Sequence, residues 1–202
     1  MEKTLWEQAV DFHGYTCMGL VLGYRVAEAV RQVFGERDVD EEIVAIVEND
    51  NCSIDAIQAL MGCTLGKGNL IFRDYGKQAY TFIRRKDKKA IRITLLDRPD
   101  ENRDAVRSLR EKMFAGNASV AEKELLKTKN EELIADYLAR PLEEVCLIKE
   151  VDTEIPEKAR LFPSVVCSSC GEKVMEPRAR LRGGQVVCIP CSEEYTRGWG
   201  TV

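Results

Sequence analysis

The chain has 202 residues, a 45% hydrophobic fraction and a formal charge of −4. That length allows one full-sized domain and a small appendage, and the acidic balance excludes nucleic acid as the main partner of the whole chain. No apolar run approaches the roughly 18–20 residues of a membrane span, and Met-Glu-Lys-Thr-Leu-Trp-Glu at the start lacks signal-peptide architecture. A cytoplasmic protein without membrane attachment is expected.

Leu5 to Phe12 reads as a short amphipathic helix, closed by a turn at Gly14. From Cys17 to Phe34 apolar residues recur at helical spacing, and Gly35 is a natural C-terminal cap. Ile43-Val-Ala-Ile-Val47 is β-branched and apolar throughout, the pattern of a buried strand. Asp50 to Ser53 offers capping residues for a helix from Ile54 to Met61, stopped by Gly62. The glycine-rich loop Gly62–Gly68 leads to Asn69–Asp74, then to strands at Ala79–Arg84 and Ala90–Leu96 joined by a charged turn. Pro99 and Asp100 are expected to end the sheet. Two surface helices follow, Arg103–Phe114 and Val120–Leu138, the second capped by Ser119. Val145–Lys149 supplies a final strand, and Asp152–Phe162 links to a cysteine-rich tail. The fold class predicted is α+β, a mixed sheet packed with helices over residues 1–160, with a small metal-binding module over 161–202.

The tail carries Cys167-Ser-Ser-Cys170 and, seventeen residues on, Cys188-Ile-Pro-Cys191. Two C-x-x-C pairs at this separation are the ligand pattern of a closed tetrahedral zinc site, because a two-residue gap lets both sulfurs reach an ion about 2.3 Å away. Gly183-Gly184 predicts a hairpin between Arg178–Arg182 and Gln185–Val187. Four thiolates leave zinc no open position, so this ion is structural. Lys173, Arg178, Arg180 and Arg182 form a local basic stripe, read as a solvated hairpin face because no aromatic platform interleaves it.

Four cysteines remain, Cys17, Cys52, Cys63 and Cys146, with a single histidine, His13. His13 precedes a helix and Cys17 opens it, where unpaired N–H groups and the helix dipole favour a thiolate. Cys52 stands in a similar place after the buried strand. Cys17 and Cys52 are therefore candidate ligands or catalytic residues together with His13, and Asp50 or Asp55 can supply a carboxylate ligand or a partner to one. Cys63 falls roughly 12 Å further along a helix and is a weaker candidate, while Cys146 reads as a core hydrophobe. The loop around Lys67 is not a P-loop: its glycine spacing is one residue short and neither Ser nor Thr follows the lysine. Its amides and Lys67 still suit an anion or cofactor contact, with Asp55 a second such candidate.

Phe12-His-Gly-Tyr-Thr-Cys-Met-Gly-Leu-Val-Leu-Gly-Tyr-Arg25 resembles the F-H-G-H-x-C-P-G-L-x-x-G-x-R signature of the FmdE family, proteins associated with formylmethanofuran dehydrogenase. Asn51–Gln58, Gly62–Leu70 and Asp74–Phe82 resemble its later motifs, so the likeness covers about residues 5–150. The resemblance implies an α+β core, a homodimer, a metal or reactive site at His13, Cys17 and Cys52, and in some members an appended treble-clef-like zinc finger. It also implies a link to a larger molybdenum or tungsten enzyme complex in one-carbon metabolism. Two residues depart from the pattern: Tyr15 replaces its second histidine and Met18 its proline. Three readings follow. One is a metal-centred accessory or redox protein, with a second metal in the core or with Cys17 as nucleophile and His13 as base. The second is a metal-dependent regulator or chaperone that uses the finger to bind a protein or nucleic acid. The third is a structural component whose thiols are relics.

Overall fold

A computed structural model describes residues 3–36, 40, 42–97 and 100–192. It forms two compact units, Met1–Lys158 and Ala159–Val202. The first begins with α1 (Leu5–His13), whose Thr4 and Glu7 make a reciprocal capping box. α2 (Met18–Phe34) follows, then β1 (Ile43–Val47), α3 (Ser53–Met61), β2 (Leu70–Phe72), β3 (Ala79–Arg84) and β4 (Lys89–Leu95). The chain continues through α4 (Glu101–Phe114), α5 (Val120–Ala139), the single turn α6 (Leu142–Val145) and β5 (Cys146–Glu150). The sheet order is β2-β1-β3-β4-β5. β1 and β2 are parallel, joined through α3, and the other pairings are antiparallel. Among the described residues the fold is the mixed α+β arrangement expected.

Strand alternation divides the core. Ile43, Ala45 and Val47 of β1, Tyr80 and Phe82 of β3, and Ile91 and Ile93 of β4 face α1, α2 and α3. Val44, Ile46, Ile83 and Ala90 face the other way and are packed by Val151 and Ile155. Glu48 continues that second face just past β1, and Arg92 grips it with both terminal nitrogens, at 2.5 and 2.9 Å. A further apolar cluster joins Val21 of α2 to Val106 of α4 and to Leu126, Leu133 and Tyr137 of α5, so α4 and α5 pack onto α2 through their apolar residues and carry their charges outside. Arg25 ties the hairpin down, donating to the carbonyls of Leu138 and Arg140 just where α5 runs out of internal partners.

Several element ends shift by one or two residues from expectation, among them the start of α4 at Glu101 and of β4 at Lys89, and three of the differences have a local reason. Asp100 does not terminate the sheet but caps α4, its carboxylate accepting the Arg103 N–H at 3.0 Å; Pro99 lies outside the described residues. Val145 closes α6 instead of opening β5, since Pro141 starts a helical turn there. Cys17 stands at the N-cap of α2, one residue before the helix, which makes Met18 the first helical residue.

In the second unit β6 (Ser164–Val166) pairs with β7 (Lys173–Met175), and β8 (Arg180–Arg182) with β9 (Gln185–Val187). Gly183 and Gly184 both take positive φ, the two-residue turn that matches strand twist. Cys167, Val187 and Cys188 form its small buried core. Residues 193–202 of the expected module lie outside the described residues. No helix among the described residues is long and apolar enough to cross a membrane.

Candidate functional site

Three segments converge at the mouth of α3. His13 is the last residue of α1, Cys17 caps α2, and Cys52 sits immediately before α3. One ligand atom from each lies within 4.8 Å of the others. His13 Nε2 and Cys17 Sγ are 3.6 Å apart. A nitrogen and a sulfur bound to one tetrahedral zinc would be separated by ~3.6 Å, from bond lengths near 2.1 and 2.3 Å.

The imidazole is oriented from behind. Its Nδ1 lies 2.7 Å from Asp55 Oδ2, so Nδ1–H donates to the carboxylate and the Nε2 lone pair is turned to the sulfurs. Gln58 Nε2 donates to the other Asp55 oxygen at 3.4 Å. Both residues belong to the same face of α3, one turn apart. The His13 side chain is only 8% exposed, which restricts its other partners to those the fold supplies.

Cys17 and Cys52 differ in electrostatics. Burial pushes the Cys17 thiol up, outweighing the N–H that Leu20 donates to its sulfur at 3.4 Å. The expectation that the helix start would favour a thiolate there is therefore corrected: desolvation wins over the N–H groups. Cys52 takes helical dihedrals and makes no side-chain cap bond, so it does not repeat the Cys17 arrangement. Tyr15, in place of the signature histidine, stacks obliquely on His13 with ring centroids 4.4 Å apart. Its hydroxyl lies 4.0 Å from Cys52 Sγ.

Close packing sets the distance between the two cysteines. Gly19 and Gly23 lie one turn apart on α2, against the start of α3. A side-chain carbon at Gly23 would stand 2.2 Å from the Ser53 carbonyl oxygen, and one at Gly19 would stand 3.0 Å from Cys52 Cβ. Beneath them Ser53 Oγ and Tyr80 OH share a buried hydrogen bond of 2.7 Å, and Asn49 and Gln78 complete the network. Sequence reasoning misses this support. The available signal is the four-residue spacing of the glycines and the Asn49-x-Asn51 pair after a buried strand.

His13, Cys17, Cys52 and Asp55 are thus brought together. Lys67 is not: it lies beyond the far end of α3, roughly 13 Å along the helix, with its N–H on Thr64 Oγ1. Cys63 is buried there too, its thiol donating to the Ile43 carbonyl at 3.4 Å. Asp50 is exposed, and Cys146 is buried at the sheet, where desolvation raises its thiol.

In the second unit Cys167, Cys170, Cys188 and Cys191 gather within the same 4.8 Å limit. Cys170 Sγ and Cys188 Sγ are 3.9 Å apart, close to the ~3.8 Å edge of a tetrahedron with 2.3 Å bonds. The N–H groups of Cys170 and Cys188 donate to the Cys167 sulfur and lower its thiol to about 6. Gly171, at φ +76°, lets the first knuckle turn back. On the neighbouring hairpin Arg180 and Arg182 are exposed, and Arg182 donates to the Cys191 carbonyl at 3.2 Å.

The family model described as FmdE, molybdenum formylmethanofuran dehydrogenase operon, matches residues 12–147, which include the whole core constellation. The chain belongs to the FmdE family. Residues 160–197 of this FmdE-family protein match the prokaryotic dksA/traR C4-type zinc finger. A protein of Archaeoglobus fulgidus, named a probable S-adenosyl-L-methionine-binding protein, is 32% identical over 196 residues. That match covers 93% of this chain and 52% of the relative, so the chain spans about half the length of that relative. The crystal structure of a tungsten formylmethanofuran dehydrogenase FmdE-like protein from Syntrophus aciditrophicus shares the fold. Its TM-score is 0.56 at 23% identity, covering 92% of this chain and 88% of that one.

Proposed function

We propose that this FmdE-family protein is a metal-binding accessory or redox component of one-carbon metabolism. Its core centre is His13, Cys17 and Cys52, and its four tail cysteines hold a structural zinc. The observation that carries the core reading is the 3.6 Å separation of His13 Nε2 from Cys17 Sγ while Asp55 holds Nδ1. An imidazole turned to two sulfurs by a carboxylate is the arrangement of a protein-built ligand set. A zinc-class ion held there by three protein ligands would supply Lewis acidity at an open fourth position.

The residues divide the work. His13 offers a neutral nitrogen, and Asp55 fixes its tautomer and balances charge. Cys17 and Cys52 offer sulfurs whose ionisation a cation would favour over the burial that otherwise raises Cys17. Tyr15 covers one side of the centre, and its hydroxyl can donate to Cys52. Support for the metabolic setting comes from the description of the matching family and the name of the Syntrophus protein. The same sources suggest work beside a molybdenum or tungsten enzyme, and the family resemblance a homodimer.

Cobalt(II) replacement tests the open position. Reconstituted protein is expected to take two equivalents, one of which changes its visible absorption on adding azide. The responsive population should vanish in Cys17→Ser/Cys52→Ser. Cobalt spectra indifferent to azide in both proteins would contradict an open centre.

The Archaeoglobus relative favours a second reading, S-adenosyl-L-methionine binding, because its match spans nearly this entire chain. Equilibrium dialysis with that compound tests it: saturable binding supports the reading, and none rejects it.

A further inference from the structure

We infer that the cavity beneath α4 is an oxyanion pocket serving the core centre, and that it takes a small molecule with an apolar body and a carboxylate or phosphate end. This rests on the reading of His13, Cys17 and Cys52 as a centre open to substrate.

The cavity has a volume of about 280 Å³. Its floor is apolar: Met18, Val106 and Leu133, the last two almost fully buried. Its wall is a stripe of α4, where Arg103, Arg107 and Arg110 follow one another at i, i+4 and i+7. Met18 is the residue after Cys17 and the first of α2, so the chain passes from the core thiol directly to the floor of the cavity, Cys17 packing toward the sheet and Met18 toward α4 and α5. Met18 and Arg103 also border a second cavity of about 290 Å³, together with Gln78 and the Asp97 that pairs with Arg103. Gln78 accepts from Asn51, the neighbour of Cys52. Each cavity is thus connected to the core cysteines through a chain neighbour, Met18 beside Cys17 in both and Gln78 bonded to the neighbour of Cys52 in the second.

Charge decides what fits. Three guanidinium groups and one carboxylate, Glu111, line the first cavity. Arg103 is paired with Asp97, and Arg107 reaches Asp104 only at 4.0 Å. Arg110 donates to a neutral partner, Asn130 Oδ1, at 3.2 Å. Positive charge over an apolar floor, in a chain that is acidic overall, matches a ligand with one anionic end. Guanidinium forks bind carboxylate and phosphate oxygens in pairs, which places the oxyanion on Arg107 and Arg110 and the apolar body on Met18.

Isothermal titration of the full chain with hexyl phosphate, hexanoate and hexanol tests the pocket. Both anions are expected to bind, and hexanol at least tenfold more weakly. Stronger hexyl phosphate binding assigns a phosphate ester, and equal or stronger hexanoate binding a carboxylic acid. Arg107→Gln/Arg110→Gln should weaken binding at least tenfold, and Glu111→Gln should tighten it severalfold, with each variant's folding checked by its melting curve. Equal binding of hexanol, no binding by any of the three, or anion affinities unmoved in both variants would overturn the pocket. Cobalt-loaded protein separates this claim from the one beneath it. Broadening of the bound ligand's proton resonances, absent in Cys17→Ser/Cys52→Ser, places the pocket beside the core metal. If anions bind but the core holds no cobalt, the metal reading fails and the oxyanion pocket stands. If the core holds cobalt and bound ligand shows no broadening, the pocket does not serve that centre.

Discussion

Asp55 Oδ2 and His13 Nδ1 lie 2.7 Å apart across 42 residues of chain, joining the end of α1 to the first turn of α3. The carboxylate aims the imidazole at Cys17 and Cys52. Asp55→Ala should lower core metal affinity about 10–100-fold, the usual cost of losing such a partner. Competition with a chromophoric chelator would measure it, and the tail zinc should be unmoved. An unchanged core affinity would remove Asp55 from the centre.

The glycines of α2 give a prediction with two grades. Gly23→Ala drives a carbon to 2.2 Å from the Ser53 carbonyl, so α2 and α3 must separate. Overpacking of this kind costs roughly 1–3 kcal/mol, and denaturant melts should show at least that loss. Gly19→Ala meets Cys52 Cβ at 3.0 Å, a contact that a small shift relieves. It should change the melting curve less and core metal affinity more. Equal and negligible effects of both changes would show that the helices do not need this approach.

Acid should weaken the fold through Glu48. Its hydrogen bonds from Arg92 hold its carboxyl below the usual 4.5. A depressed folded pKa means that the pair's contribution is present above the unfolded pKa and is lost as pH falls through the folded one. Stability should therefore drop on acidification below about pH 4.5. Glu48→Gln should cost about 1–3 kcal/mol at neutral pH and flatten that acid slope. Parallel urea melts of both proteins between pH 3 and 7 would check it, and parallel curves would contradict it.

Much of the fold is legible in the sequence because the relevant physics is local. The unbroken apolar run of Ile43–Val47 forms β1 at those bounds, and Ser119 caps α5 with Glu122 completing the box. The C-x-x-C pairs announce the finger through spacing alone. The core centre is legible as residue types but not as geometry. Asp55 is legible as a candidate partner from its place beside Cys52, but that it and not Asp50 meets His13 depends on how α1 and α3 pack. Local reasoning also misjudges Cys17: the helix start is visible in sequence, whereas burial of the sulfur arises only once α1, α2 and α3 close around it. Asp100 reads as a sheet breaker because a capping aspartate and a turn aspartate look alike until the helix behind it is placed.

The central claim is that this chain holds two kinds of metal site, and elemental analysis of protein purified without chelator tests it most directly. The account predicts close to two metal equivalents per chain in the wild type and one in Cys17→Ser/Cys52→Ser. One equivalent in both proteins would leave the tail as the only tight site and would contradict a metal centre at His13, Cys17 and Cys52.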